Sequence, residues 1–309
     1  MELWFNEYHS ENSKFSLRVR RQLFSCQSDF QQIQVLDSYE FGRILVMDGF
    51  IMLTEKDEFI YHEMVTHVPM AVHPQVKRAL IIGGGDGGTL RELSRYPQIE
   101  EIVMVEIDPM AVEVAKKFLP TTSVAFDDPR LTLLHEDGLR YVRRCHDAFD
   151  LIIVDSTDPF GPGESLFTRE FYSNCSHALK ADGILVNQHE GPYFRQDAEE
   201  AAAIYRKTSA IFPIAMVYQA HIPTYPAGHW LFGFMSKRYH PLGDLDPLAW
   251  QARGLDTRYY NTDLHAGAFA LPNYVNRLLE QGEILDDVFQ RSREAKSRSC
   301  QEELRDARV

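Results

Sequence analysis

Residues 79–93, ALIIGGGDGGTLREL, decide the fold. Ala79 to Ile82 is a short apolar run of the kind a buried strand needs, and Thr89 to Tyr96 carries helical spacing. Between them the chain turns through five glycines and one acid, Asp86. Gly83, Gly85 and Gly88 match the G-x-G-x-x-G spacing of a strand–turn–helix nucleotide site. Glycine there lets a ligand approach the backbone and lets strand and helix pack closely.

The alternation continues outward. Strands are expected at Glu101 to Glu106, Leu131 to His135, Asp150 to Val154, Gly183 to Asn187 and Ala215 to Ile222. Helices are expected at Pro109 to Phe118, Gly138 to Arg144, Thr168 to Leu179 and Ala198 to Phe212. Repeated βα units predict a parallel sheet covered on both faces. Upstream, Phe15 to Arg20 and Phe30 to Val35 alternate apolar with polar. Arg43 to Met47 and Phe50 to Leu53 flank Asp48-Gly49, a two-residue hairpin signal. Glu58 to Val72 reads as a helix. The fold class predicted is α/β: a doubly wound, mostly parallel, Rossmann-like (methyltransferase-type) sheet with a small N-terminal antiparallel β domain. The predicted divisions are 1–70 for the β domain, 71–285 for the Rossmann-like domain and 286–309 for a charged tail, read as a frayed helix or mobile end.

Composition narrows the function. The chain has 309 residues, 44% of them apolar, and a formal charge of −13. Phosphate binding needs a basic face, so neither nucleic acid nor an anionic membrane is an expected partner. Cys26, Cys145, Cys175 and Cys300 form no CxxC pair, which signals neither a zinc knuckle nor a redox dithiol. The start lacks a signal-peptide pattern, and no apolar run approaches ~20 residues, so a soluble cytoplasmic protein is expected.

The strand ends carry acids. Asp86 follows the first strand of the parallel sheet, Glu106 the second, Asp137-Gly138 the third, and Asp155 with Asp158 the fourth. In an open α/β sheet, ligands bind outside the carboxyl ends of the strands. One such acid is ordinarily a helix cap or turn residue, as Asp108 and Asp128 read before their prolines. Four in succession repel one another unless cations or donors arrive. Glu106, twenty residues beyond Asp86, is placed to accept from ribose hydroxyls. Asp86 inside the loop opposes a pyrophosphate, which wants unopposed N–H groups. A neutral or cationic adenosine compound, such as an adenosyl sulfonium, fits better than NAD. Four readings stay open: an enzyme moving a sulfonium-activated group to an amine, a sulfonium-dependent methyltransferase, a non-catalytic polyamine-binding protein, and an NAD oxidoreductase. Pro223-Thr224-Tyr225-Pro226 adds a rigid aromatic turn, either a surface turn or a pocket wall.

These motifs together resemble the spermidine synthases, or polyamine aminopropyltransferases. The likeness includes Tyr61-His62-Glu63-Met64, the turn 83–88, Val105 to Asp108, Asp137-Gly138, Asp155-Ser156-Thr157-Asp158-Pro159, Pro223 to Pro226, and Tyr259 to Pro272. It runs from about Leu3 to about Leu279 and leaves the tail uncovered. It implies transfer of the aminopropyl group of decarboxylated S-adenosylmethionine to a diamine, putrescine by default, with methylthioadenosine released and no metal or further cofactor. Asp155 then matches the general base. Tyr61, His62, Asp86, Asp158, Gln188 and Tyr225 match the amine side. Gln31, Gly83, Gly85, Asp86, Glu106, Asp137, Gly138 and Pro162 match the nucleoside side. Gln188 fits a common pattern, whereas His189 and Glu190 after it depart from the familiar one. The resemblance also implies a homodimer or homotetramer built through the N-terminal unit, and a roof over the site from Thr157 to Phe167.

The chemistry explains the acids. A sulfonium donor is already activated, so positioning supplies much of the rate. An alkylamine with a pKa near ~10.4 is protonated at pH 7, and exposing its free form costs about 4–5 kcal/mol. A carboxylate can bind the ammonium and then accept its proton. An acid at Asp86 also repels the α-carboxylate of intact S-adenosylmethionine while accepting the decarboxylated form.

Overall fold

The computed structural model describes residues 2–156 and 161–293. Five antiparallel strands open the chain: β1 (Leu3–Ser10), β2 (Ser13–Gln27), β3 (Gln32–Ser38), β4 (Arg43–Met47) and β5 (Phe50–Thr54), paired in chain order. Asp48 and Gly49 both take positive φ, 49° and 91°, as a hairpin turn of the primed type requires. β1 was not expected, because its alternation is buried in a polar, mixed-charge run. β3 begins two residues later than its pattern suggested. Residues 28–31 form a turn instead, closed by the Ser28 N–H on the Gln31 carbonyl.

Helix α1 (Glu58–Val72) leads into a seven-stranded sheet. Its elements follow as β6 (Arg78–Gly83), α2 (Gly88–Ser94), β7 (Glu101–Val105), α3 (Pro109–Phe118), β8 (Leu131–Leu134), α4 (Gly138–Arg143), β9 (Phe149–Asp155), α5 (Arg169–Ala178), β10 (Leu179–Gln188), α6 (Arg195–Ser209), β11 (Ile214–Ala220) and β12 (Trp230–Ser236). Three short helices, α7 (Pro247–Ala252), α8 (Thr262–Ala268) and α9 (Asn273–Gln281), come after the sheet. The strand order is β11-β12-β10-β9-β6-β7-β8, with β12 antiparallel to both its neighbours. The order reverses between β6 and β9, where ligands bind in such sheets.

Alternate β6 residues face opposite layers. Ile81 packs with Met64 and Val68 of α1 and with Leu90 of α2. Leu80 and Ile82 pack with Val142 of α4 and Phe171 of α5. Burial on both faces is why these strands read as continuous apolar runs. β12, WLFGFMS, is also buried at all seven residues but was missed by the sequence reading, because it follows β11 with no α-helix between them to mark a βα unit. The expected roof is only partly described: Gly161–Phe167 is a 3-10 helix, and 157–160 fall outside the described residues. In the charged tail, residues 285–293 are helical, and Arg195 on α6 pairs with Asp286 and Asp287. No helix among the described residues is long and apolar enough to cross a membrane.

Glu63, on α1 and only 2% exposed, clasps the chain beyond the sheet. Its carboxylate accepts from the backbone N–H groups of Arg258, Tyr259 and Tyr260, each at 2.8 Å. Glu63→Ala leaves three donors without their acceptor and should lower unfolding free energy by about 3 kcal/mol, read by chemical denaturation. An unchanged midpoint would show that water replaces the carboxylate fully.

Candidate active site

The carboxyl ends of β6, β7, β9 and β10 open onto one cavity of about 200 Å³. The first sheet closes its other side with Gln31, Met47 and Ile51. Gly83 at the end of β6 sits opposite Asp155 at the end of β9. A Cβ on Gly83 would strike the Asp155 carbonyl, and the residue takes φ 84°, so only glycine fits that approach. The Gly84 N–H donates to the same carbonyl at 2.7 Å. The glycine turn therefore locks the switch point together before any ligand enters.

Two carboxylates face each other there. Asp155 accepts from the Thr89 hydroxyl at 2.6 Å and interacts with the Tyr61 hydroxyl. Burial and the neighbouring Asp86 charge push its pKa up, with His62 and Thr89 opposing in part. Asp86 accepts from the Gly88 N–H at 2.7 Å and lies 3.1 Å from His62 Nε2. Burial would raise the Asp86 pKa, but the His62 charge overrides it and holds the group low. His62 Nδ1 reaches Glu58 at 2.6 Å. Burial disfavours the His62 cation, yet Asp86 and Glu58 outweigh it and raise the pKa to about 10. His62, Asp86 and Asp155 stand close enough to surround an ion. Both ring nitrogens are engaged with carboxylates, however, and a doubly protonated imidazole has no lone pair to offer a metal.

The neighbouring wall of the cavity is built on β7 and β8. Glu106 accepts from the Gly85 N–H at 3.1 Å and the Asp108 N–H at 2.8 Å. Burial outweighs those donors and lifts its pKa to about 7. Asp137 caps α4 by accepting from the Arg140 N–H, and Gly138 packs against Ile82. Asp108 does cap α3, but it does more than the sequence reading gave it. Its second oxygen accepts from Ser28 Oγ at 2.7 Å and Gln31 Nε2 at 3.1 Å. The 28–31 turn is thereby pinned to the rim, which is what brings Gln31 to the cavity.

The opposite side is aromatic and then acidic. Tyr225 donates to the Met52 carbonyl at 2.7 Å and stacks edge-on against Trp230 at 4.8 Å. Tyr61 lies 5.2 Å from Phe232. Gln188 donates to Glu190 at 2.7 Å, and Glu190 holds φ 69°. Beyond them the lining includes Glu7, His9 and Asp197. Burial, opposed by His9 and aided by Glu7, raises the Asp197 pKa to about 6.

Thus Gln31, Tyr61, His62, Gly83, Gly85, Asp86, Glu106, Asp137, Gly138, Asp155, Gln188 and Tyr225 all line one cavity. The expectations for Asp158 and for the Pro162 side chain fall outside the described residues. Sequence reasoning missed Glu58, Thr89, Glu7, Asp197 and Trp230. Only Trp230 carried a signal, as an aromatic at the start of an apolar run directly after the rigid turn 223–228.

Thr89 isolates one contribution to this electrostatics. Its hydrogen bond favours charged Asp155, so Thr89→Val should raise the Asp155 pKa further. A bond to a charged group is worth ~1.5–3 kcal/mol, so the carboxylate should protonate about one to two pH units higher. Carbon-13 NMR titration of labelled aspartate measures this, and an unmoved titration would remove Thr89 from that role.

Comparison with known proteins places this cavity among relatives. Residues 58–246 match the spermine/spermidine synthase domain, and residues 3–55 match the spermidine synthase tetramerisation domain. The polyamine aminopropyltransferase of Alkaliphilus oremlandii is 59% identical over 283 residues, covering 92% of this chain and 100% of the relative. That of Clostridium beijerinckii is 57% identical, covering 90% and 98%. Among solved structures, a spermidine synthase in complex with the transition-state analogue AdoDATO superposes with a TM-score of 0.87 at 43% identity, covering 90% of this chain and 94% of the other. Spermidine synthase from Thermotoga maritima gives 0.85 at 41% identity, with the same coverage.

Proposed function

The chain belongs to the spermine/spermidine synthase family, and from that premise we propose that this aminopropyltransferase uses putrescine as its acceptor, giving spermidine and methylthioadenosine. The observation that carries the reading is the convergence of Asp86, Glu106 and Asp155 on one cavity at the switch point. Decarboxylated S-adenosylmethionine is the donor in this reading, a co-substrate rather than a resident cofactor. Glu106 and Gln31 hold its ribose, and the Asp137-Gly138 turn borders its adenine. Asp86 takes the aminopropyl ammonium. The sulfonium then stands one propyl chain away from that ammonium, with its reactive methylene toward the acceptor.

Transfer is an in-line displacement. The acceptor nitrogen forms a bond to that methylene, the C–S bond breaks, and its electron pair neutralises the sulfur. The acceptor must first lose a proton, and Asp155 receives it. A raised pKa suits Asp155 to that task, because a base holds a proton better as its own pKa climbs. Sign follows directly: turnover should fall as pH drops through the Asp155 pKa, where the base is already protonated. Tyr61, Tyr225 and Trp230 pack on the acceptor methylenes. Glu7, Glu190 and Asp197 supply negative charge at the far end for a second ammonium. A cavity acidic at both ends and aromatic between suits a short diamine. The methyltransferase reading gives no use for Asp86, and the binding-protein reading keeps the acids but leaves the glycine turn idle.

We also propose self-association through the first sheet. Leu3, Trp4, Tyr8 and Tyr39 are exposed there, and the matching domain is named for tetramerisation.

Mass spectrometry of products tests the acceptor. The protein meets decarboxylated S-adenosylmethionine with competing putrescine, cadaverine, 1,3-diaminopropane, agmatine and spermidine. Spermidine should dominate with equimolar methylthioadenosine, and a different dominant product would replace putrescine. For the base, Asp155→Asn should bind methylthioadenosine normally while losing about 100-fold or more in kcat. Near-normal turnover would remove Asp155 from the role.

A further inference from the structure

Glu58 stands outside the cavity lining, yet it is 5% exposed and tied to the lining through one side chain. Its Oε2 lies 2.6 Å from His62 Nδ1, and His62 Nε2 lies 3.1 Å from Asp86 Oδ1. On its outer side Arg91 forks onto both oxygens, at 2.8 and 2.9 Å. The result is a buried line of alternating charge: Arg91, Glu58, His62, Asp86. A carboxylate only accepts, so an imidazole bonded to two carboxylates is protonated at both nitrogens. Asp86 spends Oδ1 on His62 and the Gly88 N–H, and Oδ2 makes no hydrogen bond among the described residues. The ring packs directly on Gly88, where even a Cβ would strike it.

We propose that Glu58 is a positioning residue for the transfer reaction: by holding His62 as a doubly bonded imidazolium, it fixes Asp86 with one oxygen presented to the aminopropyl end of the donor. This deepens the functional reading above and rests on it. An acid set one helical turn before His62 adds negative charge beside a cavity already crowded with it. The first helical turn and Arg91 both favour an acid here, and the 2.6 Å contact to Nδ1 makes it an anchor for the imidazolium as well. His62 is faced by Glu58 from its own helix, Asp86 from the β6–α2 turn and Asp155 from β9, with the Tyr61 ring 5.4 Å away. Three carboxylates against one Arg91 leave the cation favoured. Burial opposes it, and the carboxylates prevail. Without Glu58, Nδ1 loses its acceptor, the ring can shed a proton, and Asp86 loses the cation that orients it.

The test joins nitrogen-15 NMR of labelled histidine with pH–rate profiles. In the native protein, His62 should remain doubly protonated from about pH 6 to about pH 9. In Glu58→Gln it should titrate within that interval. Its kcat/KM for decarboxylated S-adenosylmethionine should match the native value within a few-fold at low pH, then fall about tenfold or more as pH rises. The loss should sit in KM for the donor rather than in kcat, and Glu58→Asp should restore most of it. A Glu58→Gln profile parallel to the native one at every pH would overturn the proposal, whether displaced or not. So would a neutral His62 in the native protein at about pH 7. That last measurement needs neither variant folding nor catalysis. If no aminopropyl transfer occurs at all, the functional reading fails while the His62 charge, with and without bound methylthioadenosine, still decides the Glu58 link.

Discussion

Everything at the rim turns on holding two like charges together. Atoms of Asp86 and Asp155 lie within 4.8 Å, where two unit charges repel by roughly 3 kcal/mol at an effective dielectric near ~20. The fold answers the repulsion asymmetrically. Asp86 is given a cation and a backbone N–H, which keep it charged. Asp155 is given burial and the Asp86 field, which raise its affinity for a proton. One carboxylate is held as an anion and the other is made readier to take up a proton, from the same side-chain chemistry. Glycine makes the arrangement possible, because no other residue lets β6 and β9 meet so closely at the switch point.

Much of this was legible from residue order. Strands buried on both faces announce themselves as short apolar runs between helices, and acids at their ends point to a rim. The glycine turn, Glu106 and Asp155 could be named for that reason. What escaped notice did so because its local role looks ordinary. Glu58 is an acid in a helix's first turn, the favoured place for one. Thr89 is one more early helix residue, and only its distance from Asp155 gives it meaning. Asp108 read as a cap and is one, yet a cap uses only one of its oxygens. The second ties a turn from 77 residues upstream to the rim through Gln31, and no spacing rule conveys a contact that distant. β12 was lost because it returns antiparallel beside β11 without an α-helix between, outside the βα alternation that marked the others.

The cavity is assembled from two separate supports. The glycine-turn side rests on β6, β7 and the turn before α4, elements of the second sheet and its helices. The aromatic side hangs from the turn 223–228, and that turn is fastened elsewhere. Tyr225 bonds to the Met52 carbonyl of β5, and Thr224 bonds to Asp57 at the junction before α1. Substitutions in β5 or in that turn can therefore reshape the cavity beyond the aromatic wall while the residues on β6, β7 and α4 keep their places. A lineage can drift in the shape of the aromatic end without disturbing the acids at the ends of β6, β7 and β9.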